Sequence, residues 1–130
     1  MILDTSAIIA ALLGEASGKR IGFAIGAAEV CRIGAPTLVE TGMVLTSRAG
    51  ERGRVALLGF LQDRNVDIQS FSEAHWRVAQ NAFVRFGKGR HPARLNLGDC
   101  LTYAVAYVAG EPLLCTGNDF RQTDLELVEY

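Results

Sequence analysis

Four acidic residues in this chain, Asp4, Glu40, Asp99 and Asp119, fall where carboxylates can do chemistry. Each lies beside apolar sequence, at what reads as a strand end or the first turn of a helix. Met1-Ile2-Leu3 stops at once in Asp4-Thr5-Ser6, the pattern of a short buried strand whose last residue emerges at the sheet edge. In a parallel α/β sheet, strand C-termini and the N-termini of the following helices share one edge, so all four acids face the same crevice. Carboxylates gathered this way repel one another unless cations bridge them. The chain has no His or Cys cluster to suggest zinc, and an all-oxygen donor set suits a hard divalent ion. Mg²⁺ or Mn²⁺ so held can activate a water and steady a phosphate leaving group; two ions clamp both oxygens of an in-line displacement.

Each acid also has a structural explanation. Asp4 can stabilise the N-terminus of the next helix. Glu40 follows Thr37 by three residues, and Asp99 follows Asn96 by three, which fits helix starts. Asp119, in Gly117-Asn118-Asp119-Phe120, resembles an ordinary turn residue. The joint placement is what favours chemistry. Arg85, Lys88, Arg90, His91 and Arg94 crowd a segment that leads into the helix carrying Asp99. Such a loop is either a solvated segment or a phosphate-binding rim to an acidic metal site. His75 and His91 otherwise read as surface residues, and Trp76 and Phe83 as packing residues.

The elements that must position these groups alternate between strand and helix. Ser6 can cap a helix over residues 7–13, closed by Gly14. A second helix is expected over 17–30, with Gly18, Gly22 and Gly26 on one face, open to close packing. A short strand over 32–35 precedes a helix from Pro36 to about Arg48. A Gly50–Gly53 hinge separates that helix from another over 54–63. Residues 66–71 alternate like a strand with one face buried. Ser72 caps a helix with Ala79, Ala82, Phe83 and Phe86 on one side, ended by Gly87. Asn96 caps a strongly apolar helix over 97–109, stopped by Gly110 and Pro112. Residues 113–116 and 125–128 read as two last strands. This alternation implies a mainly parallel sheet covered on both faces.

At 130 residues and 49% hydrophobic, the chain suits one globular domain with a single core. No apolar run approaches the roughly 18 residues that span a bilayer, and no signal peptide is evident. Cys31, Cys100 and Cys115 lack metal-ligand spacing and read as reduced core residues of a cytosolic protein. The net charge of −1 says little, but with four acids gathered in one pocket the remaining surface is net basic.

Asp4-Thr5-Ser6, Glu40, Leu97-Gly98-Asp99-Cys100 and Thr116-Gly117-Asn118-Asp119-Phe120, in this order and spacing, resemble the PIN domain over essentially the whole chain. The small size and the ending Thr123-Asp124-Leu125 look most like VapC toxins of bacterial toxin–antitoxin pairs. The resemblance implies a three-layer α/β/α fold, a single PIN domain over residues 1–130, and Mg²⁺- or Mn²⁺-dependent endoribonuclease activity in the cytoplasm. It implies homodimers and a VapB-type antitoxin that blocks the site, in a toxin–antitoxin hetero-oligomer. By this matching Asp4, Glu40 and Asp99 are metal-site acids. Thr5 or Ser6 and Thr116 are hydroxyls that orient the carboxylates. Many relatives carry an acid at the position of Asn118, so the fourth ligand is Asp119, or Asn118 as a neutral ligand; charge favours Asp119. Arg85, Lys88, Arg90 and Arg94 are the expected RNA contacts. The rival readings are a catalytically inactive PIN-like module binding RNA or protein, which the intact acid set opposes, and a receiver-like phosphoryl-transfer domain. The latter needs a phosphate-holding lysine near the late strand, and no Lys follows Lys88.

Overall fold

The computed structural model describes residues 1–130 and centres on four short strands. β1 (Ile2–Leu3), β2 (Arg32–Gly34), β3 (Asp67–Gln69) and β4 (Leu113–Leu114) form one sheet in the order β3-β2-β1-β4, with every pair parallel. Parallel neighbours require crossovers. Helices α1 (Thr5–Leu13) and α2 (Gly18–Ala27) join β1 to β2, α3 (Ala35–Asp63) joins β2 to β3, and α4 (Glu73–Phe86) and α5 (Leu97–Ala109) join β3 to β4.

Successive strand residues point to opposite faces, and that alternation creates the three layers. Ile2 and Leu113 enter one core with Ala79, Ala82 and Phe86 of α4 and Tyr103 and Val105 of α5. Leu3 and Leu114 enter a second core with Ile8, Ile21, Leu45 and Leu57 of α1, α2 and α3. All four strand residues are fully buried. Burying each such side chain stabilises by about 1.5–3 kcal/mol, which is how strands of two residues persist at the centre of the molecule.

Several local expectations change. Asp4, not Ser6, caps α1, accepting from the Ser6 N–H. The second helix stops at Ala27 because Ala28 turns extended toward β2. Of its glycines only Gly18 serves a close approach: a Cβ there would stand 2.2 Å from the Ala10 carbonyl oxygen, whereas one at Gly22 would meet nothing within 4 Å. The hinge between the two halves of α3 is Gly50, at φ 59°, a conformation open to a residue without Cβ. α3 begins at Ala35 with Gly34 as its cap. Glu40 therefore lies in the second turn and forms no capping box with Thr37, whose hydroxyl instead faces Thr102.

β3 is shorter than the alternating stretch, and its central Ile68 is 54% exposed. It sits at the sheet edge, outside both buried clusters. β4 ends at Leu114, and the last strand shrinks to a single bridge between Leu113 and Leu127. α4 and α5 start at Ser72 and Asn96 as expected, each with a capping box, and α5 closes at Gly110 in the left-handed region. Phe83, expected among the buried face of α4, is instead half-exposed. The three cysteines are buried and free. No helix is long and apolar enough to cross a membrane.

Candidate active site

The strand ends and the first turns of α3 and α5 meet at one edge of the sheet. Asp4 follows β1, and its amide donates to the Leu114 carbonyl at 3.0 Å, tying it to the end of β4. Its Oδ2 accepts from the Ser6 N–H at 2.9 Å and from the Ser6 hydroxyl. Ser6 Oγ in turn accepts from the Thr116 N–H at 2.9 Å. Thr116 thus contributes its backbone amide, where a hydroxyl was expected. Burial pushes the Asp4 carboxyl above the ordinary range; the Ser6 bonds oppose that, and the Glu40 charge adds to it.

Glu40 reaches the same edge from α3. Thr5 Oγ1 donates to its Oε2 at 2.8 Å and lies 3.1 Å from Thr41 Oγ1. The carboxylate rests against Gly98 in the first turn of α5, where a Cβ would come within 2.6 Å of Oε1. The absence of a side chain at Gly98 is what lets α3 and α5 approach with a carboxylate between them.

Asp99 has both of its expected roles in reach. Its Oδ2 accepts from the Asn96 N–H at 2.8 Å while its own N–H donates back to Asn96 Oδ1 at 3.0 Å. It therefore does complete a capping box. Its carboxyl is nonetheless pushed up to about 6, first by burial and then, against the Asn96 bond, by the charges of Asp4, Asp119 and Glu40. Asp4, Asp119 and Glu40, from three other segments, are the acids whose charge bears on Asp99. The buried Cys115 thiol is pushed up to about 12 by burial, with Asp4, Asp119 and Asp99 adding to the effect.

Asp119 is exposed and leads a 3₁₀ turn, Phe120–Gln122, without a side-chain capping bond. Asn118 is likewise exposed, and it is its backbone carbonyl that accepts from Arg121 N–H. As the side chains stand, no three acids close on a single ion position: Glu40 is turned to Thr5 and Gly98, and Asp99 to the Asn96 amide. The donor set still fits a hard divalent cation, being all oxygen and mutually repelling. Asp4, Glu40, Asp99 and Asp119 or Asn118 are the residues that could hold one.

A groove of about 850 Å³ opens beside Glu40, walled by Val39 and Met43 of α3 and Leu97 of α5. It shares Leu97 and Leu101 with a second groove of about 600 Å³ along α4. Trp76 and Phe83 wall this second groove half-exposed, in place of the packing roles expected for them.

The basic segment is anchored between the end of α4 and the start of α5. Lys88 N–H donates to the Leu95 carbonyl and Leu95 N–H to the Phe86 carbonyl, both at 2.9 Å. Arg85 lies in the last turn of α4 and pairs with Asp124 at 2.8 Å, so its charge is already matched. Lys88, Arg90 and Arg94 are exposed and form no ion pair, and Arg90 lies over the Phe83 ring. His91 has a structural role: its Nδ1 accepts from the Ala93 N–H at 3.1 Å and its ring packs edge-on to Phe86.

The sequence reading missed Gly98 and the buried hydroxyls of Thr37, Thr41 and Thr102. The i,i+4 spacing of Thr37 and Thr41 around Glu40 is the one sign of them in the sequence.

Comparison with known proteins places the sequence and the fold. The sequence matches the PIN domain over residues 1–126. It is 43% identical over 127 residues to the ribonuclease VapC36 of Mycobacterium tuberculosis, covering 97% of this chain and 91% of that protein. It is 38% identical over 128 residues to a ribonuclease VapC of Mycolicibacterium smegmatis, covering 98% and 99%. Among solved structures, Mycobacterium tuberculosis VapC20, a toxin that cleaves the sarcin–ricin loop, superposes with a TM-score of 0.80 at 21% identity, over 99% of this chain and 98% of that one. VapBC2 of Rickettsia felis, bound to a DNA fragment from its promoter, gives 0.75 at 15% identity, over 98% and 96%. Those two structural likenesses establish the three-layer fold.

Proposed function

The chain belongs to the PIN-domain family, among the VapC ribonucleases, and from that membership we propose that it is the toxin of a type II toxin–antitoxin pair. It acts as an endoribonuclease, cutting RNA phosphodiester bonds and so inhibiting translation and growth. The observation that carries the reading is the approach of Asp4, Glu40 and Asp99 at one sheet edge, with Glu40 resting against Gly98 beside Asp99, in a chain that matches the PIN domain over residues 1–126.

Asp4, Glu40, Asp99 and Asp119 are the proposed metal-site residues, with Asn118 as a neutral alternative to Asp119. Mg²⁺ or Mn²⁺ bound there supplies Lewis-acid activation of water and neutralises charge at the phosphate. Asp4 is held by the Ser6 hydroxyl and amide, and Ser6 by the Thr116 amide. Thr5 holds Glu40 through Oε2. The Asn96 amide holds Asp99. These contacts set where each carboxylate rests, and Glu40 and Asp99 would turn from Thr5 and Asn96 to close on one cation with Asp4. Lys88, Arg90 and Arg94 then attract and orient the RNA backbone, and Arg85 stands behind them, committed to Asp124.

The partners in this reading are RNA, a VapB-type antitoxin and a second copy of the chain, all in the cytoplasm. The apolar walls at Val39, Met43, Leu97 and Phe83 give a protein partner surface to bury.

RNA cleavage by the purified chain should require Mg²⁺ or Mn²⁺ and stop in EDTA, because every proposed ligand is an oxygen donor. Undiminished cleavage after rigorous chelation would overturn the metal mechanism. A combined Arg90→Ala and Arg94→Ala variant should bind RNA more weakly and show a shallower salt dependence. The slope of log affinity against log salt drops by roughly 0.7 for each phosphate that is no longer neutralised. Metal binding should be unchanged. Parent-like affinity and slope would move the RNA surface elsewhere, to the region of Arg48, Arg52 and Arg54.

A further inference from the structure

We infer that Asp124 is a positioning residue for the turn that carries Asn118 and Asp119, clamping that turn to α5 through the Tyr103 hydroxyl and to the last turn of α4 through Arg85. The inference rests on the metal-site reading above. It adds the contact that fixes the one candidate acid whose side chain makes no capping bond of its own.

Asn118 and Asp119 are both exposed, so their place is set by the backbone that carries them. That backbone is held at its start by the Thr116 N–H, which donates at 2.9 Å to Ser6 Oγ, the hydroxyl that also holds Asp4. In its middle, Phe120 is buried in the core with Phe86 and Tyr103. The turn closes on itself: Arg121 N–H donates to the Asn118 carbonyl at 3.2 Å, and Thr123 Oγ1 to the Phe120 carbonyl at 2.7 Å. Its far end is Asp124, whose two oxygens take two different donors. The Tyr103 hydroxyl donates to Oδ1 at 2.5 Å and the Arg85 guanidinium to Oδ2 at 2.8 Å. Gln122 Nε2 also reaches the Pro92 carbonyl, but at 3.5 Å, too long to hold the turn alone.

The two halves of the clamp are unequal. Tyr103 is 1% exposed, and its phenol has a single proton, which goes to Asp124. A hydroxyl bonded to a carboxylate is short and strong. Tyr103 follows Asp99 by four positions on α5, one turn along the same side of the helix. Its bond therefore sets the Asp119 turn against the helix that carries Asp99. The Arg85 pair is about half exposed on both sides, where solvent screens it and its contribution is small. Its consequence is different: it withholds one cation from the basic segment. Asp124, in the Thr123-Asp124-Leu125 ending, thus serves the site from outside the proposed ligand set.

The test uses the full chain. Amide hydrogen exchange over residues 117–123 is followed without metal, and RNA cleavage by steady-state kinetics with Mn²⁺. Tyr103→Phe keeps the ring and removes the hydroxyl. The turn should lose exchange protection while α5 keeps it, and kcat should fall by about tenfold, the lower end of what groups behind the ligands contribute. KM for RNA should be unchanged. Asp124→Ala should give the same loss in kcat, with KM unchanged or lower because Arg85 is released to the basic segment. Asp124→Asn keeps an acceptor for Tyr103 and gives up only the Arg85 pair, so it should restore both protection and kcat. The double variant of Tyr103→Phe and Asp124→Ala should be no worse than Asp124→Ala alone, since the two act through one bond. If Asp124→Ala does not fold, Tyr103→Phe and Asp124→Asn decide the matter between them. Parent-like protection and turnover in Tyr103→Phe, failure of Asn to rescue, or losses that multiply in the double variant would each overturn the inference alone. Parent-like turnover in a combined Asn118→Ala and Asp119→Ala variant would overturn the fourth-ligand reading and the inference together.

Discussion

Asp99→Asn should fold, keep its helix cap, and lose RNA cleavage by on the order of a thousandfold, equivalent to about 4 kcal/mol of transition-state stabilisation. The fold should survive because the Asn96 N–H needs only an acceptor at this position, and an amide oxygen provides one. What disappears is the charge. The same substitution should also change stability in chelator, in a direction the electrostatics fix. The carboxyl is pushed up to about 6 from 3.8, so the folded chain holds this proton more tightly than the unfolded chain does. The proton's contribution to stability is complete below about pH 4 and is lost as pH rises through about 6. At pH 7.5 in EDTA the parent therefore carries a destabilising charge that Asp99→Asn does not. Discounted for partial solvent screening, the variant should be more stable by about 1 kcal/mol, and the gap should close near pH 4. Urea denaturation at the two pH values measures this, beside circular dichroism and a cleavage assay. A folded variant with full activity would remove Asp99 from the site; a pH-independent gap would remove the coupling among the four acids.

Gly98→Ala separates the site from the scaffold in a different way. Inside a helix, Ala is favoured over Gly by about 1 kcal/mol, so propensity alone predicts a neutral or stabilising change. The new Cβ would stand 2.6 Å from Glu40 Oε1 and 3.0 Å from its carboxyl carbon. Glu40 is the flexible partner and must swing away, giving up its bond to Thr5 Oγ1. Cleavage should fall by roughly tenfold or more, about 1.4 kcal/mol or above, while the melting temperature holds or rises. Retained activity would show that Glu40 works equally well from another rotamer. A large loss of stability would show that α3 cannot yield, and that Gly98 serves packing before chemistry.

Much of the framework was legible in the order of residues. Alternating strand and helix signals led to the parallel sheet, and Asn96 and Gly110 bounded α5 at the expected residues. Asp4, at the end of a buried apolar run, does sit at the C-terminal end of a central strand. Local chemistry settles such features: a cap, a turn or an apolar run acts within a few residues of itself. Boundaries failed where tertiary contacts override local pattern. The alternating stretch around Ile68 became an exposed edge strand, and residues 113–116 gave up their last two positions to the turn that brings Thr116 to Ser6.

The sequence by itself supplied the candidate donors, four carboxylates with no cluster of soft ligands, and the parallel sheet that orders the strand ends. Only the tertiary structure decided how each is held. Asp99 caps a helix and stands next to Gly98, against which Glu40 rests, because α3 and α5 approach there. Gly98 matters because α3 presents Glu40 to it, a relation between positions 58 residues apart (98 − 40). Arg85 is set apart from its basic neighbours by Asp124, 39 residues later. Thr37, Thr41 and Thr102 look like ordinary helical threonines until the helices cross, since a hydroxyl's role is set by the one partner its single proton finds. Periodicity records which face of a helix is buried; it carries no record of what that face will meet.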